Sequence, residues 1–311
     1  MPHKLRLDGL QAEISTVDKL IEQATTYGDV IAEYQLTKRK QLLYNEIVEL
    51  QETKEKTASV ALFFGGKPVF GSRGIAAEFA GSVLELFQDL VSKLFSQTEI
   101  GGLGERGIIP LKDASRLMVT EVHRGSFGFI LDEMSDQMEL ADTSLKHIIE
   151  EVAKLLERTA SPNELEFEEA VEVLDSRTLM ALKDFFMKLD TNNATLRLVE
   201  DVVDFTLDEV SIHRGRQRTE STSINETEEY ISGEITGFLP NHKKFEMYSD
   251  NNIFLYGSVS KEAAEQYTNF ATSGYFVMPR KCKIKIQRRI VRPLNRPQRE
   301  VIRLLEFLDF K

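Results

Sequence analysis

The stretch RKCKIKIQRR, residues 280–289, decides how the C-terminal part of this chain is interpreted. Three lysines in it alternate with three apolar residues: Lys281, Cys282, Lys283, Ile284, Lys285 and Ile286. A period of two is that of a β-strand, whose successive side chains point to opposite faces. We therefore expect a strand with one basic face and one buried apolar face.

Working outward from this strand, residues 230–311 read as a small five-stranded β-barrel with one helix. The sequence predicts a helix from Ser260, between the third and fourth strands. Glycines at 233, 237 and 257 fall inside strands, where a sharply coiled barrel needs bends. The predicted strands cover residues 230–238, 243–248, 252–259, 279–291 and 299–308.

This order of five strands with one helix after the third resembles the oligonucleotide/oligosaccharide-binding barrel. The resemblance covers residues 230–311, roughly a quarter of the chain, and rests on element order. It implies binding of single-stranded nucleic acid across the second and third strands, whereas the basic run lies on the fourth. Four aromatic residues near that run are candidates for stacking on bases: Tyr248, Phe254, Tyr256 and Phe276.

Charge is divided unevenly along the chain. Residues 230–311 hold 14 Lys and Arg against 8 Asp and Glu, a net +6, and the remainder holds 25 against 42, a net −17. A basic surface attracts nucleic acid and an acidic one repels it. The sequence therefore predicts phosphate contacts from one set of basic residues: Lys281, Lys283, Lys285, Arg288, Arg289 and Arg292. The alternative is an edge strand whose lysines prevent aggregation.

Residues 213–229 are predicted to be a polar linker, because they contain only one large apolar residue, and a helix running partway into them is left open. We expect residues 213–226 to be the internal segment most sensitive to protease. Residues 58–212 are predicted to be an α+β domain of β-hairpins and helices, with strands beginning at Ser59 and Arg116 and helices over about 76–96 and 138–158. The fold class is thus α+β.

Residues 1–57 are predicted to be a helical, coiled-coil-like arm. Apolar residues recur there with 3-4-3 spacing up to Gly28 and then in a second register. Either a helical hairpin turns near residues 26–29, or one long helix carries a stutter. Residues 8–56 are a candidate for homo-oligomerisation.

No motif in the chain carries recognisable chemistry. The G-x-G-x-x-G match at 102–107 follows a predicted helix and not a strand, so it lacks the setting of a dinucleotide site. The five histidines do not cluster and the single cysteine, Cys282, alternates with core residues. We expect no cofactor, no metal, no membrane span and a cytoplasmic location, and an enzymatic function is disfavoured but left open.

Two functions fit these features. The first is a non-enzymatic accessory protein that binds single-stranded nucleic acid through its basic C-terminal barrel, with a protein partner on the acidic body. The alternative is an oligomeric structural or adaptor protein that binds other proteins.

Overall fold

The computed structural model describes residues 1–52, 55–101, 107–123, 127–134, 141–201, 203–239, 242–272, 278–292 and 298–310. Of the described residues, 51% are helical and 32% lie in strands, which confirms the α+β class. Its contacts divide it into two compact units. The first unit comprises Met1–Ser82, Ala114–Glu157 and Thr191–Glu209, and the second comprises Val83–Asp113, Arg158–Asp190 and Val210–Lys311. Among the described residues, no helix has the length and apolar character to cross a membrane.

The first unit begins with a helical hairpin, which settles the choice left open by the sequence. Helix α1 (His3–Tyr27) ends at Gly28, whose φ of +73° gives a left-handed C-cap, and helix α2 (Val30–Glu52) returns alongside. The two apolar registers meet as one seam between the helices: Leu10, Ile14, Val17, Ile21, Leu36, Leu43 and Ile47.

A five-stranded antiparallel sheet of order β4-β5-β1-β6-β7 completes the first unit. Its central strand, β1, is buried from Ser59 to Phe64, so both of its faces are covered. On one face Ala61 and Phe63 pack with Leu5 of α1. The elements are β1 (Ser59–Gly66), the short pair β2 (Val69–Phe70) and β3 (Gly74–Ile75), β4 (Leu117–His123), β5 (Phe127–Glu133), α4 (Ser144–Ala160), β6 (Ala194–Val199) and β7 (Asp204–Leu207). Helix α3 (Ala77–Ile100) starts in this unit and continues in the second.

The second unit contains helices beside the barrel, and one of them lies where the sequence predicted a linker. Its helical elements are a 3-10 turn (Lys112–Ser115), α5 (Glu164–Glu172), α6 (Ser176–Thr191) and α7 (Glu209–Ser221). Residues 213–229 are not an irregular segment, because α7 covers the first part of them and the first barrel strand the rest.

The polar residues of α7 have partners far away in the sequence. Arg218 is 9% exposed, donates a hydrogen bond to Thr159 O at 3.1 Å and forms an ion pair with Glu164 at 2.6 Å. Ile212 is fully buried, and Gly215 leaves room for the ring of Phe186. Tertiary hydrogen bonds thus offset the entropy of ordering a segment that is polar in composition.

The C-terminal barrel is closed, with strand order β10-β12-β11-β8-β9. All of its pairs are antiparallel except β10 with β12, in which Ser258 lies opposite Arg303. Strand β8 starts before residue 230, and the other four strands begin within two residues of their predicted starts. The elements are β8 (Ser223–Leu239), β9 (Lys244–Ser249), β10 (Phe254–Val259), α8 (Lys261–Thr272), β11 (Arg280–Arg292) and β12 (Arg299–Phe310).

Candidate nucleic-acid interface

Strand β11 distributes its side chains as its alternating sequence predicts. Cys282, Ile284 and Ile286 are buried in the barrel core, and Lys281 and Lys283 are exposed on the outer surface. Burial raises the pKa of the Cys282 thiol to about 11, which keeps it protonated near neutral pH. The first part of the basic run therefore faces solvent.

The next predicted phosphate contacts, Lys285 and Arg288, hold carboxylates on neighbouring strands. Lys285 Nζ lies 2.7 Å from Glu228 Oε2 on β8, and this hydrogen bond raises the pKa of the lysine. Arg288 Nε lies 3.0 Å from Glu229 Oε1, and Arg288 also forms an ion pair with Glu300 on β12. The positive charges of both side chains are therefore neutralised by carboxylates of the barrel itself.

The glutamates face β11 because β8 begins at Ser223 and not at residue 230. Residues 223–311 hold 14 Lys and Arg against 11 Asp and Glu, a net +3, which is half of the +6 counted for 230–311. Charge complementarity between two paired strands thus accounts for much of the basic run.

Arg289 is not on an accessible surface, which removes it from the predicted set of phosphate contacts. Its side chain is 7% exposed and its Nε lies 2.9 Å from Oε1 of Glu226, which is itself 6% exposed. Gln287 donates to the other carboxylate oxygen at 3.2 Å, and Arg289 Nη1 reaches the carbonyl of Glu172, the last residue of α5, at 3.3 Å. Burial raises the pKa of Glu226 despite the nearby guanidinium.

Arg292 is exposed at the end of β11, and its Nε donates to Gln298 Oε1 at 3.3 Å. Of the six predicted contacts, Lys281, Lys283 and Arg292 therefore remain exposed. Arg296, which follows in the same basic run, lies outside the described residues, as does the aromatic residue Phe276.

Exposed aromatic side chains gather on the adjacent strands β9 and β10. Tyr248, Phe254 and Tyr256 are 45%, 50% and 52% exposed. Both strands alternate, with Phe245 and Leu255 in the core and these rings outside. Tyr248 pairs with Phe254 across the strands, and their ring centroids lie 5.2 Å apart. The strands thus present a set of neighbouring π-faces to solvent.

Lysine side chains flank these rings. Lys244 Nζ lies 5.4 Å from the centroid of the Tyr256 ring, and Lys283 Nζ lies 6.0 Å from that of Tyr230, which is 64% exposed. Cations at such distances over a ring make favourable cation–π contacts. We call this surface the aromatic face and define it by its rings and lysines: Tyr230, Lys244, Tyr248, Phe254, Tyr256, Lys281 and Lys283.

The register of the sheet connects the lysines of β11 to the rings of β10. Lys281 pairs with Glu234 on β8, Glu234 with Tyr248 on β9, and Tyr248 with Phe254 on β10. At about 4.8 Å per strand, this row is about 14 Å long. Two carboxylates, Glu234 and Glu246, are also exposed within the face, so its net charge is close to +1.

Sequence reasoning named the three rings of β9 and β10 but missed Tyr230 and Lys244. The alternation of KFEMYS at 244–249 carries the signal for Lys244, because it places position 244 on the same face as Tyr248. Tyr230 was predicted to be the first residue of its strand. In the structure β8 pairs with β11 both before and after Tyr230, and this pairing places the Tyr230 ring beside Lys283.

Among the described residues, no three His, Cys, Asp or Glu side chains come together as a metal site requires. Comparison of the chain with protein-family models, with curated proteins and with solved structures gives no match. The aromatic face therefore has to be interpreted from its own chemistry.

Proposed function

We propose that this protein is a non-enzymatic accessory protein that binds single-stranded nucleic acid on the aromatic face of its barrel. The observation that carries the proposal is the group of three exposed rings on adjacent strands, Tyr248, Phe254 and Tyr256, with lysines beside them. Exposed rings of this kind stack on bases of any sequence, and neighbouring lysines contact phosphates. The reducing cytosol is the compartment that we propose, because the one cysteine is a buried thiol.

The resemblance of the barrel to the oligonucleotide/oligosaccharide-binding barrel supports the same surface. In that family the second and third strands form the binding face, and here those strands are β9 and β10. The rest of the chain carries a net negative charge, which repels a polyanion. This repulsion favours binding of the nucleic acid on the barrel alone. That acidic part is where we propose that a protein partner binds.

The charge of the face predicts how binding depends on salt. Three lysines, Lys244, Lys281 and Lys283, are available to phosphates, which gives a slope of log K against log salt of about −2 for a single strand. Affinity should therefore fall about tenfold to twentyfold between 50 and 200 mM salt. Stacking contributes the part of the binding free energy that salt leaves unchanged.

The test is a fluorescence anisotropy titration of the full chain with labelled single strands of DNA and RNA of about 12 nucleotides. A duplex of the same length is the control for binding by charge alone. We expect the single strand to bind more tightly and to show the predicted salt slope. No binding at low salt, or equal affinity for the duplex, would overturn the proposal.

Substitution of Phe254→Ala removes one stacking platform and should weaken binding roughly 5- to 150-fold, the range for one base–aromatic stack. The matched control is Tyr27→Ala, because Tyr27 is also an exposed aromatic residue but lies at the end of α1, outside the barrel. If both variants bind as the unaltered chain does, the aromatic face is not the binding surface.

A further inference from the structure

The outer surface of α2 carries a second stripe of residues that the helical hairpin does not use. Its members are separated by 4, 3, 4, 3 and 4 positions: Val30, Tyr34, Thr37, Gln41, Tyr44 and Val48. All six are exposed, and four are large apolar or aromatic residues with exposures of 73% for Val30, 70% for Tyr34, 46% for Tyr44 and 53% for Val48. We call this set the outer stripe.

The outer stripe is distinct from the seam that joins α1 to α2. The seam uses Leu36, Leu43 and Ile47, whereas Tyr44 and Val48 lie one position further along, which is a rotation of about 100° around the helix. The stripe extends over about 27 Å of helix. An exposed apolar row of this length marks a surface that contacts another protein.

The spacing of the outer stripe is that of a coiled-coil seam. Tyr34, Gln41 and Val48 take the a positions of a heptad, and Val30, Thr37 and Tyr44 take the d positions. The flanking g and e positions then include Glu33 and Lys38. Neither of these two residues forms an ion pair with any part of the chain that the structure describes.

These two charges favour one partner and one orientation. In a parallel pair of helices, a residue at g faces the residue five positions later, at e, on the other helix. Glu33 then faces Lys38 of a second copy, and the twofold symmetry makes this contact twice. In an antiparallel pair, e faces e, so Lys38 would face the same lysine of the second copy.

We propose that two copies of this chain associate through the outer stripe, with their α2 helices parallel. The layers at the interface include Tyr34 against Tyr34 and Tyr44 against Tyr44, and between them the polar layer of Gln41 against Gln41 fixes the register. This proposal does not depend on the one for the barrel, because the outer stripe lies entirely in α2.

The first test measures the mass of the full chain over a range of concentrations by sedimentation equilibrium. We expect the mean mass to rise towards twice the 35.5 kDa of one chain. Glu33→Lys and Lys38→Glu should each raise the dissociation constant at least several-fold, and the double variant should restore it. A single mass of one chain at every concentration would overturn the proposal, as would a double variant that is no better than the single ones.

The second test uses disulfide formation to read the orientation. Gln41→Cys places a thiol opposite its own copy in the parallel dimer, whereas Glu46→Cys, at an exposed position away from the stripe, is the control. The native Cys282 is buried and does not interfere. We expect a cross-linked dimer with Gln41→Cys and none with Glu46→Cys. Equal cross-linking of the two variants, or none in either, would contradict the parallel arrangement.

Discussion

Removing the guanidinium of Arg289 should destabilise the protein strongly, although this residue lies in a run that looks like a nucleic-acid site. Its ion pair with Glu226 has both side chains less than 8% exposed. Arg289→Ala leaves the buried carboxylate without its cation, which costs about 3–5 kcal/mol. The matched control is Lys285→Ala on the same strand, whose partner Glu228 is 57% exposed, so the loss should be about 0–1 kcal/mol.

The loss in Arg289→Ala should also depend on pH. Burial raises the pKa of Glu226 in the folded protein, and the guanidinium partly opposes this effect. Without Arg289, the Glu226 carboxyl binds a proton more tightly in the folded state than in the unfolded state. The free energy of unfolding therefore falls as pH rises through the interval between the pKa of Glu226 in the unfolded state and its pKa in the folded state. The difference in free energy of unfolding between the variant and the unaltered protein should therefore be smallest at acidic pH and largest near neutral pH.

Urea unfolding followed by circular dichroism at several pH values measures both effects through the midpoint and the m-value. A double variant, Glu226→Gln with Arg289→Met, removes the charge and keeps the volume, and we expect it to regain most of the lost stability. If Arg289→Ala costs no more than Lys285→Ala, or if its cost does not change with pH, the assignment of Arg289 to the structural interior is wrong.

Three further predictions concern the fold. Gly257→Ala should prevent the barrel from closing, because a Cβ there would overlap the carbonyl oxygen of Ile302, and the melting temperature would report it. Hydrogen bonds from Arg197 lower the pKa of Asp204. The Asp204 carboxylate therefore stabilises the protein at neutral pH, and this stabilisation is lost as pH falls below the usual range of aspartate. Asp204→Asn should reduce the loss of stability over that acidic range. Trypsin should cut within α7 only as fast as the protein unfolds, and rapid cleavage there under native conditions, seen by mass spectrometry, would show that the segment is a linker after all.

Local patterns predicted the barrel well where buried and exposed residues alternate, as they do in β9 and β10 and in the first part of β11. The period of two at 281–286 and the turn residues between strands are local properties, and four of the five strands begin where those properties indicate. The start of β8 was missed because residues 223–229 contain three glutamates and only one large apolar residue. Their pairing with basic residues on β11 more than fifty positions away is a tertiary effect that no local window contains.

The same limit explains why two arginines were misread, one in the predicted linker and one at the candidate site. Arg218 was read as part of a linker and Arg289 as a phosphate contact, because an arginine is usually exposed. Both are buried against carbonyl groups and carboxylates from distant helices and strands. The aromatic face, in contrast, was largely foreseeable, since Tyr248, Phe254 and Tyr256 follow from alternation within single strands.

We propose that nucleic acid binds on the aromatic face, which includes Lys281 and Lys283, and not along residues 285–292 of β11. Ultraviolet cross-linking of the full chain to a single-stranded oligonucleotide carrying a photoreactive thymidine analogue, followed by mass spectrometry of the peptides, locates the contact directly. We predict adducts in residues 244–256, on Tyr248, Phe254 or Tyr256. Adducts confined to residues 285–292, or the absence of any adduct in the barrel, would contradict the claim.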